Sequence, residues 1–358
     1  YGGALCAAFK FLLMYDISKF KIKAEPVILG IESSCDETAC AVLRGRKILS
    51  NRIISSAAEQ AKYGGVVPEI ASRMHTEAVD EVCRLALQDA GLQPRDIDCV
   101  AATYGAGLLG ALLVGLSFAK AFAYSLNVPF IAVNHIRGHI SAAYLDKPDL
   151  KPPFITLLAS GGHTAILYTS SYTEFEVLGG TSDDAAGEAF DKCARVLGLP
   201  YPGGPSVQRL AEGGSPVIKF PSALVKNSPS LRFSYSGLKT AVINYCHNAA
   251  QRGEEFSPAD VAASFQCAAI DPLVKKTVEY ALRYNVKTVT AGGGVIANDY
   301  LRKTLSAACK SAGIELVLPE KKYCTDNAAM IASEGLNQYM AGNFSPLDIN
   351  AAAAIPLK

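Results

Sequence analysis

Apolar and polar positions along this chain change period several times, and the order of those changes is written twice. The first apolar run, "VILGIESS" (27–34), is rich in β-branched residues and breaks at a polar turn before a second run, "TACAVLRG" (38–45). That pattern predicts a β-hairpin. "PFITLLASGG" (153–162) and "HTAILYTS" (163–170) repeat it. A short apolar strand, a glycine-bearing turn and a long apolar helix follow in "DCVAATYGAGLLGALLVGLSFAKAFA" (98–123), and again in "VKTVTAGGGVIANDYLRKTLSAACKSA" (286–312). A third strand-to-helix unit, "VPFIAVNHIRGHISAAYL" (128–145), is matched by "IELVLPEKKYCTDNAAMIASEGLNQYM" (314–340). Three matched pairs in one order predict an internal duplication. The predicted fold is α/β, with two similar lobes around a cleft and ligands at the carboxyl ends of the strands.

Three further segments decorate this plan. One is 51–97, with a helical pattern in "GGVVPEIASRMHTEAVDEVCRLALQDAG"; another is an insertion over 179–251. The last is a helix over 257–284, opened by Ser257 as N-cap and Pro258 in the first turn. The expected division is an extension at 1–26, a first lobe at 27–152 with about 335–358 packing back onto it, and a second lobe at 153–334.

Composition narrows the class. A chain of 358 residues that is 50% hydrophobic can fill two cores. With 34 basic and 33 acidic residues the net charge is +1, so no overall basic field advertises nucleic acid and only a local patch is left for that role. Ten cysteines occur without a CxxC pair, which argues against a zinc ribbon. Most, such as Cys99 and Cys267, sit in apolar runs and read as reduced, buried small hydrophobes of a cytosolic protein. The apolar stretch from Ala4 to Met14, broken by Lys10, is too short to cross a bilayer. It reads as upstream sequence with Met14 as the start, or as a signal-like or organellar leader. No later segment is expected to reach the ~20 apolar residues of a membrane helix, so a soluble, cytoplasmic protein is expected.

Candidate chemistry begins with His135 and His139. Four residues apart on a helix that follows a strand, they share one face and can take adjacent positions on a transition metal; the alternative is a pair of ordinary surface histidines. Asp326, at the matching turn of the second copy, would complete a set of two imidazoles and a carboxylate if the lobes face one another. It is also well placed to cap the helix that follows. Gly161 and Gly162 permit a tight turn before His163, either as an ordinary hairpin or as a backbone donor site. "AGGGVIAN" (291–298) lets a nucleotide lie against backbone and a helix N-terminus, although no GK[ST] follows. "YPGGPSVQRLA" (201–211) is another glycine turn opening a helix. In "TSDDAAGEAFDKCARVLGL" (181–199), Asp191 could reach a ribose hydroxyl, or the acids form a solvated face. The acidic "ESSCDET" (32–38) counts against a phosphate-gripping turn and hence against a plain kinase. Its Asp36 and Glu37 could meet an ammonium, a second cation or another protein segment, or stay solvated.

"GIESSCDETACAVL", "YGGVVPEIASRMH", "GLLGALLVGLSFAKA", "LLASGGHTAIL", "DDAAGEAFDKCARVLGLPYPGGP", "FSYSGLKTAV", "AGGGVIAN" and "YCTDNAAMIA" together resemble the bacterial TsaD family of tRNA adenosine threonylcarbamoyltransferases, once described as O-sialoglycoprotein endopeptidases. The resemblance runs from about Val27 to Lys358, so the Tyr1–Pro26 extension falls outside it. It implies two ribonuclease-H-like lobes of the actin-like ATPase, sugar kinase and Hsp70 superfamily. It also implies transfer of a threonylcarbamoyl group from threonylcarbamoyl-adenylate to the exocyclic amine of the adenosine beside the tRNA anticodon. The family's metal ligands fall on His135, His139 and Asp326, with iron or zinc as the metal. Its substrate loop falls on Leu158, Ala159, Ser160, Gly161 and Gly162. Its contacts to the adenylate, or to AMP or ATP, fall on Asp191, Gly204 and Asn298, with Gln208 where relatives often carry an acid. Asp36 and Glu37 map to its acidic turn, and Glu37 and His163 are the candidate proton acceptors. Implied partners are tRNA, a TsaB-like paralogue, a TsaE-like ATPase and the synthase that supplies the adenylate, with no membrane. The alternatives are a sugar or small-molecule kinase of the same fold, or a metalloprotease; an HExxH site would lack its base, because Ile136, Arg137 and Gly138 occupy the intervening positions.

Overall fold

In the computed structural model, residues 15–63, 65–225 and 230–355 are described, so Met14 and the apolar stretch before it lie outside the described residues. The chain forms two compact units. One holds the residues up to Asp149 together with those from Asp326 onward; the other is Leu150–Thr325. The return to the first unit therefore comes at Asp326, not near 335.

The first unit is built on a five-stranded sheet in the order β3-β2-β1-β4-β5, from β1 (Val27–Glu32), β2 (Glu37–Arg44), β3 (Lys47–Ser55), β4 (Cys99–Gly105) and β5 (Phe130–Asn134). β1, β2 and β3 run antiparallel, and β4 and β5 run parallel to β1. The second unit has six strands: β6 (Phe154–Ala159), β7 (Thr164–Thr169), β8 (Phe175–Thr181), β9 (Leu231–Phe233), β10 (Thr288–Gly292) and β11 (Glu315–Val317). Their order is β11-β10-β6-β7-β8-β9. Read from β8, the sequence β8-β7-β6-β10-β11 matches β3-β2-β1-β4-β5 strand for strand, with the same antiparallel and parallel pairings. The duplication is thus real at the level of topology. β9 is an addition, parallel to β8.

The central strands β1 and β6 are buried at every position, which is why each reads as a mainly apolar run without alternation. The third strand of each meander, β3 and β8, escaped the sequence reading. Both are largely half-buried or exposed, so no apolar alternation marks them.

In the first unit the helix Pro68–Ala90 starts on a proline and stops at Gly91, whose φ of 65° suits glycine. Its Val79, Val82, Cys83, Ala86 and Leu87 face the sheet at helical spacing. The neighbouring helix Leu109–Leu126 has, at 18 residues and a mean hydropathy of 1.6, the length and apolarity of a marginal membrane span, which corrects the expectation that no later segment does. One face of it, with Leu112, Leu116, Ala119 and Ala123, is buried within the unit, while Leu109 and Leu113 are exposed. The last helix, Ala328–Met340, is buried along almost its whole length. It approaches the sheet so closely that a Cβ on Gly30 would lie 2.4 Å from the Ala328 carbonyl oxygen, and one on Gly335 would lie 2.4 Å from Ala101 Cβ.

Residues 15–26 of the expected extension join this core. The Tyr15 hydroxyl donates to the Val128 carbonyl at 2.8 Å, and its ring meets Phe20 at 5.3 Å. Phe20 in turn meets Phe344 at 6.0 Å.

The second unit is organised by the helix Pro258–Arg283. Ser257 caps it by accepting from Asp260 N at 3.2 Å, as expected. Val261, Phe265, Ile270 and Leu273 form the middle of its core. No disulfide joins the described cysteines; Cys99 is buried as expected, whereas Cys267 is only partly so.

Candidate functional site

β5 ends at Asn134, whose side chain accepts from Ile136 N at 2.8 Å and so starts the short helix His135–Ser141. Both imidazoles project from one face, with ring centroids 4.6 Å apart at 83°. Gly138 between them packs closely on the last helix: a Cβ there would lie 2.8 Å from Ile331 Cδ1.

Asp326 stands on the segment that leads into that last helix. The cap itself is Asn327, whose Oδ1 accepts from Met330 N at 3.0 Å, so the capping role read for Asp326 belongs to its neighbour. This leaves Asp326 Oδ1 3.4 Å from His135 Nε2 and 3.3 Å from His139 Nε2. The expectation of a carboxylate reaching across from a second lobe is corrected: ligand candidates and carboxylate belong to one compact unit.

His135, His139 and Asp326 offer three donor atoms within 4.8 Å of one another. Two donors on a metal with ~2.0–2.1 Å bonds lie roughly 3.3 Å apart at a tetrahedral angle, which is the spacing of the Asp326 oxygen from each imidazole. His139 is fully buried; among the described residues its Nδ1 has no hydrogen-bond partner, while its Nε2 faces the Asp326 carboxylate at 3.3 Å. A buried ring nitrogen left unpaired is costly to the fold. Burial pushes the His139 pKa down, which favours the neutral, metal-binding form. Burial opposes charge on Asp326, but the two imidazoles, His135 first, hold its pKa far below the usual carboxylate range. The donor set therefore fits a divalent transition metal.

The acidic turn after β1 lies in the same unit. The Cys35 carbonyl accepts from His75 Nε2 at 2.9 Å, and Thr38 Oγ1 lies 2.7 Å from His75 Nδ1. This histidine, fully buried on the Pro68–Ala90 helix, pins the turn that carries Asp36 and Glu37. Ser56 adds two bonds to the Asp36 carbonyl, at 2.8 and 2.9 Å. Glu37 receives a bond from Ser55 Oγ at 3.3 Å. Burial, then Asp36 and Asp326, push the Glu37 carboxyl up to about 10. Sequence reasoning missed Glu32, the fully buried carboxylate that ends β1 and faces His135. The signal was present: one acid in an otherwise apolar central strand.

The remaining predicted residues gather in the second unit. Ser160 N donates to the His163 carbonyl at 2.8 Å, and His163 N to Ser160 Oγ at 3.1 Å, closing the loop after β6. Neither Gly161 nor Gly162 adopts the left-handed φ that a glycine-requiring turn would use. Instead both are exposed, with open space where a Cβ would stand. The tight approaches come from Gly187 and Gly293. A Cβ on the first would fall 2.7 Å from the Ser160 carbonyl oxygen; on the second, whose φ is 100°, 2.4 Å from that of Ala159.

Asp191 Oδ1 accepts from Gly203 N at 2.7 Å, joining the helix Ala186–Val196 to the start of Gly203–Ala211, and Gly204 beside it is open. Gln208 exchanges two bonds of 2.9 Å with Asp299. The glycines of "AGGGVIAN" do not open a helix directly, because the 3-10 turn Gly294–Ala297 intervenes. The helix Asp299–Ser311 starts from Asn298, whose Oδ1 caps Leu301 N at 3.0 Å while its Nδ2 donates to Gln266 at 2.9 Å. In the acidic stretch, Asp183 is structural: its carboxylate accepts from Tyr235 N at 2.7 Å and from Ser236 at the start of Ser236–Arg252.

Two units of matching topology, one carrying a two-histidine, one-carboxylate centre and the other a set of glycine loops, define a member of the actin-like ATPase fold. Solved structures agree on that fold. HypF from T. kodakarensis superimposes with a TM-score of 0.62 at 17% identity, covering 91% of this chain, which spans about half (49%) of that protein. Component A of (R)-2-hydroxyglutaryl-CoA dehydratase from Acidaminococcus fermentans gives 0.51 at 16% identity, covering 88% of this chain and 99% of that one. Within this class, residues 47–333 match the family described as "TsaD: tRNA N6-adenosine threonylcarbamoyltransferase". Proteins of that name from Clostridium botulinum (strain Kyoto / Type A2) and Caldicellulosiruptor saccharolyticus are 51% and 52% identical, each over 92% of this chain and over 97% and 98% of their own lengths. The chain belongs to the TsaD family.

Proposed function

We propose that this protein transfers a threonylcarbamoyl group from threonylcarbamoyl-adenylate to the N6 amine of the adenosine beside the tRNA anticodon, at a metal held by His135, His139 and Asp326. The observation that carries the site is that His135, His139 and Asp326 bring three donor atoms within 4.8 Å of one another, in a chain of this family. A bound divalent metal, iron or zinc, supplies Lewis acidity to the threonylcarbamoyl oxygens.

The chain's own residues do the rest. Backbone groups at Ser160, Gly161 and Gly162, exposed where no side chain intrudes, bind the adenylate, and Gly204 gives a second open backbone position. Asp191 and Asn298 hold the helix starts that flank these open backbone positions. The amine nitrogen forms a bond to the carbamoyl carbon, the bond from that carbon to the phosphate oxygen breaks, and AMP leaves with the electron pair. The N6 proton is lost in the same step. Glu37, at the start of β2, and His163, on the loop after β6, are the candidate acceptors. The adenylate synthase, a TsaB-like paralogue, a TsaE-like ATPase and a cytoplasmic location follow from family resemblance.

His139→Ala removes a ligand without touching the acidic turn. Supplied with tRNA, labelled threonine, bicarbonate, ATP and the synthase, it should lose transfer by more than the ~10–100-fold typical of outer-shell changes. Adenylate formation by the synthase should continue. Wild-type levels of modified nucleoside would remove the metal from the reaction.

A further inference from the structure

Glu32 is the last residue of β1, in the centre of the first sheet, and it is fully buried. An acid there is unfavourable for folding unless each of its lone pairs is used. They are used in one direction. Oε1 accepts from Ser34 N at 2.6 Å. Oε2 accepts from Thr103 Oγ1 at 2.5 Å and lies 3.3 Å from His135 Nδ1. Ser34 Oγ stands 3.1 Å from the same nitrogen. His135 is thus gripped on its Nδ1 edge while its Nε2 edge faces Asp326. His139 has no such support at Nδ1 among the described residues.

The two imidazoles are therefore held by different means. His139 is placed by packing around Gly138 and by the edge of the His135 ring. His135 is placed by a buried carboxylate, itself fixed by a backbone N–H and a threonine hydroxyl. An imidazole that binds metal through Nε2 must carry its proton on Nδ1, and an acceptor at Nδ1 enforces that tautomer.

We propose that Glu32 is the positioning residue of this centre: it fixes the tautomer and orientation of His135 and thereby sets metal affinity, with Thr103 and Ser34 holding Glu32 in place. This rests on the reading of His135 as a ligand. Glu32→Gln is a sharp test because the side chain keeps its volume. The amide oxygen must still accept from the fixed Ser34 N–H, so the NH2 group turns toward His135. Nδ1 then has to accept, and the proton moves to Nε2, where it blocks the metal.

The experiment is a cobalt(II) titration followed by its visible absorption, run on wild type, His139→Ala, Glu32→Gln, Glu32→Asp and Thr103→Val. It is paired with nitrogen-15 imidazole spectra of the metal-free proteins and their thermal melts. Glu32→Gln should bind cobalt about 10–100-fold more weakly than wild type, and in spectra taken at a pH high enough to deprotonate the imidazolium that Asp326 favours, His135 should carry its proton on Nε2. Glu32→Asp, which keeps the charge at shorter reach, should recover part of the affinity. Thr103→Val should weaken binding in the same direction without contacting the imidazole. A folded Glu32→Gln with wild-type affinity and an Nδ1–H tautomer overturns the proposal. Should that variant not fold, wild-type affinity in Thr103→Val overturns it instead. If wild type and His139→Ala bind cobalt equally poorly, the metal reading fails, and the tautomer spectra still decide whether Glu32 orients His135.

Discussion

At the scale of single residues, the first unit concentrates buried acids and imidazoles whose ionisation is set by neighbours. Glu37 is the clearest case. Its pKa in the metal-free fold, about 10, lies above the ordinary carboxyl value of 4.5, because burial and then Asp36 and Asp326 disfavour its charge. The folded state therefore keeps a proton that the unfolded chain releases. The resulting stability is fully present below pH 4.5 and drains away as pH rises toward about 10. Denaturant midpoints of the metal-free protein should fall across that window, and Glu37→Gln should flatten the fall; parallel profiles for the two proteins would contradict the assignment. His75 makes a second prediction. Its two ring bonds hold the Cys35 carbonyl and the Thr38 hydroxyl, so His75→Leu leaves both buried groups short of a partner. Urea unfolding should show a loss of roughly 2–5 kcal/mol.

At the scale of elements, what positions the centre is the docking of Ala328–Met340 on the first sheet. That docking is close because Gly30 and Gly335 have no side chains. Gly30→Ala pushes against the Ala328 carbonyl and Ala332, and should cost roughly 1–3 kcal/mol. It should also weaken cobalt binding, since Asp326 is carried on the same segment. Gly161→Ala, with open space at its Cβ position, should change stability by less than about 0.5 kcal/mol. Thermal melts and metal titrations of the two variants separate these outcomes. Much at this scale was legible in advance: buried strands, the capped helix from Pro258 and the short histidine helix all follow from local pattern. β3 and β8 were not, because a largely half-buried or exposed strand carries no apolar alternation. The 3-10 turn after β10 was not either, because three glycines suit many turns equally well.

At the scale of the whole molecule, the two units differ in how the chain builds them. Leu150–Thr325 is continuous and holds its own sheet and core. The first unit is made from two distant stretches of chain. A fragment spanning Leu150–Thr325 should therefore fold with a cooperative melt. A fragment ending at Asp149 lacks the helix that covers β1, β2 and β4 and should not. Supplying residues from Asp326 onward in trans, or by circular permutation, should restore both its melt and its cobalt binding. A cooperative melt from the shorter fragment alone would show that the last helix is dispensable.

The sequence by itself determined the repeated unit, the order of its buried strands and main helices, and the residue types of the candidate metal centre, because periodicity, spacing and the repeat itself carry them. It also marked His135 and His139 as sharing a face, since four residues nearly complete a helical turn. It could not say which unit Asp326 would join. The duplication assigned it to the second copy, while the packing of Ala328–Met340 against Gly30 and Ala101 brings it into the first. Nor could it reveal that the acid ending β1 lies behind His135. Those contacts join residues a hundred or more positions apart, and only the way the strands and the last helix close on one another decides them.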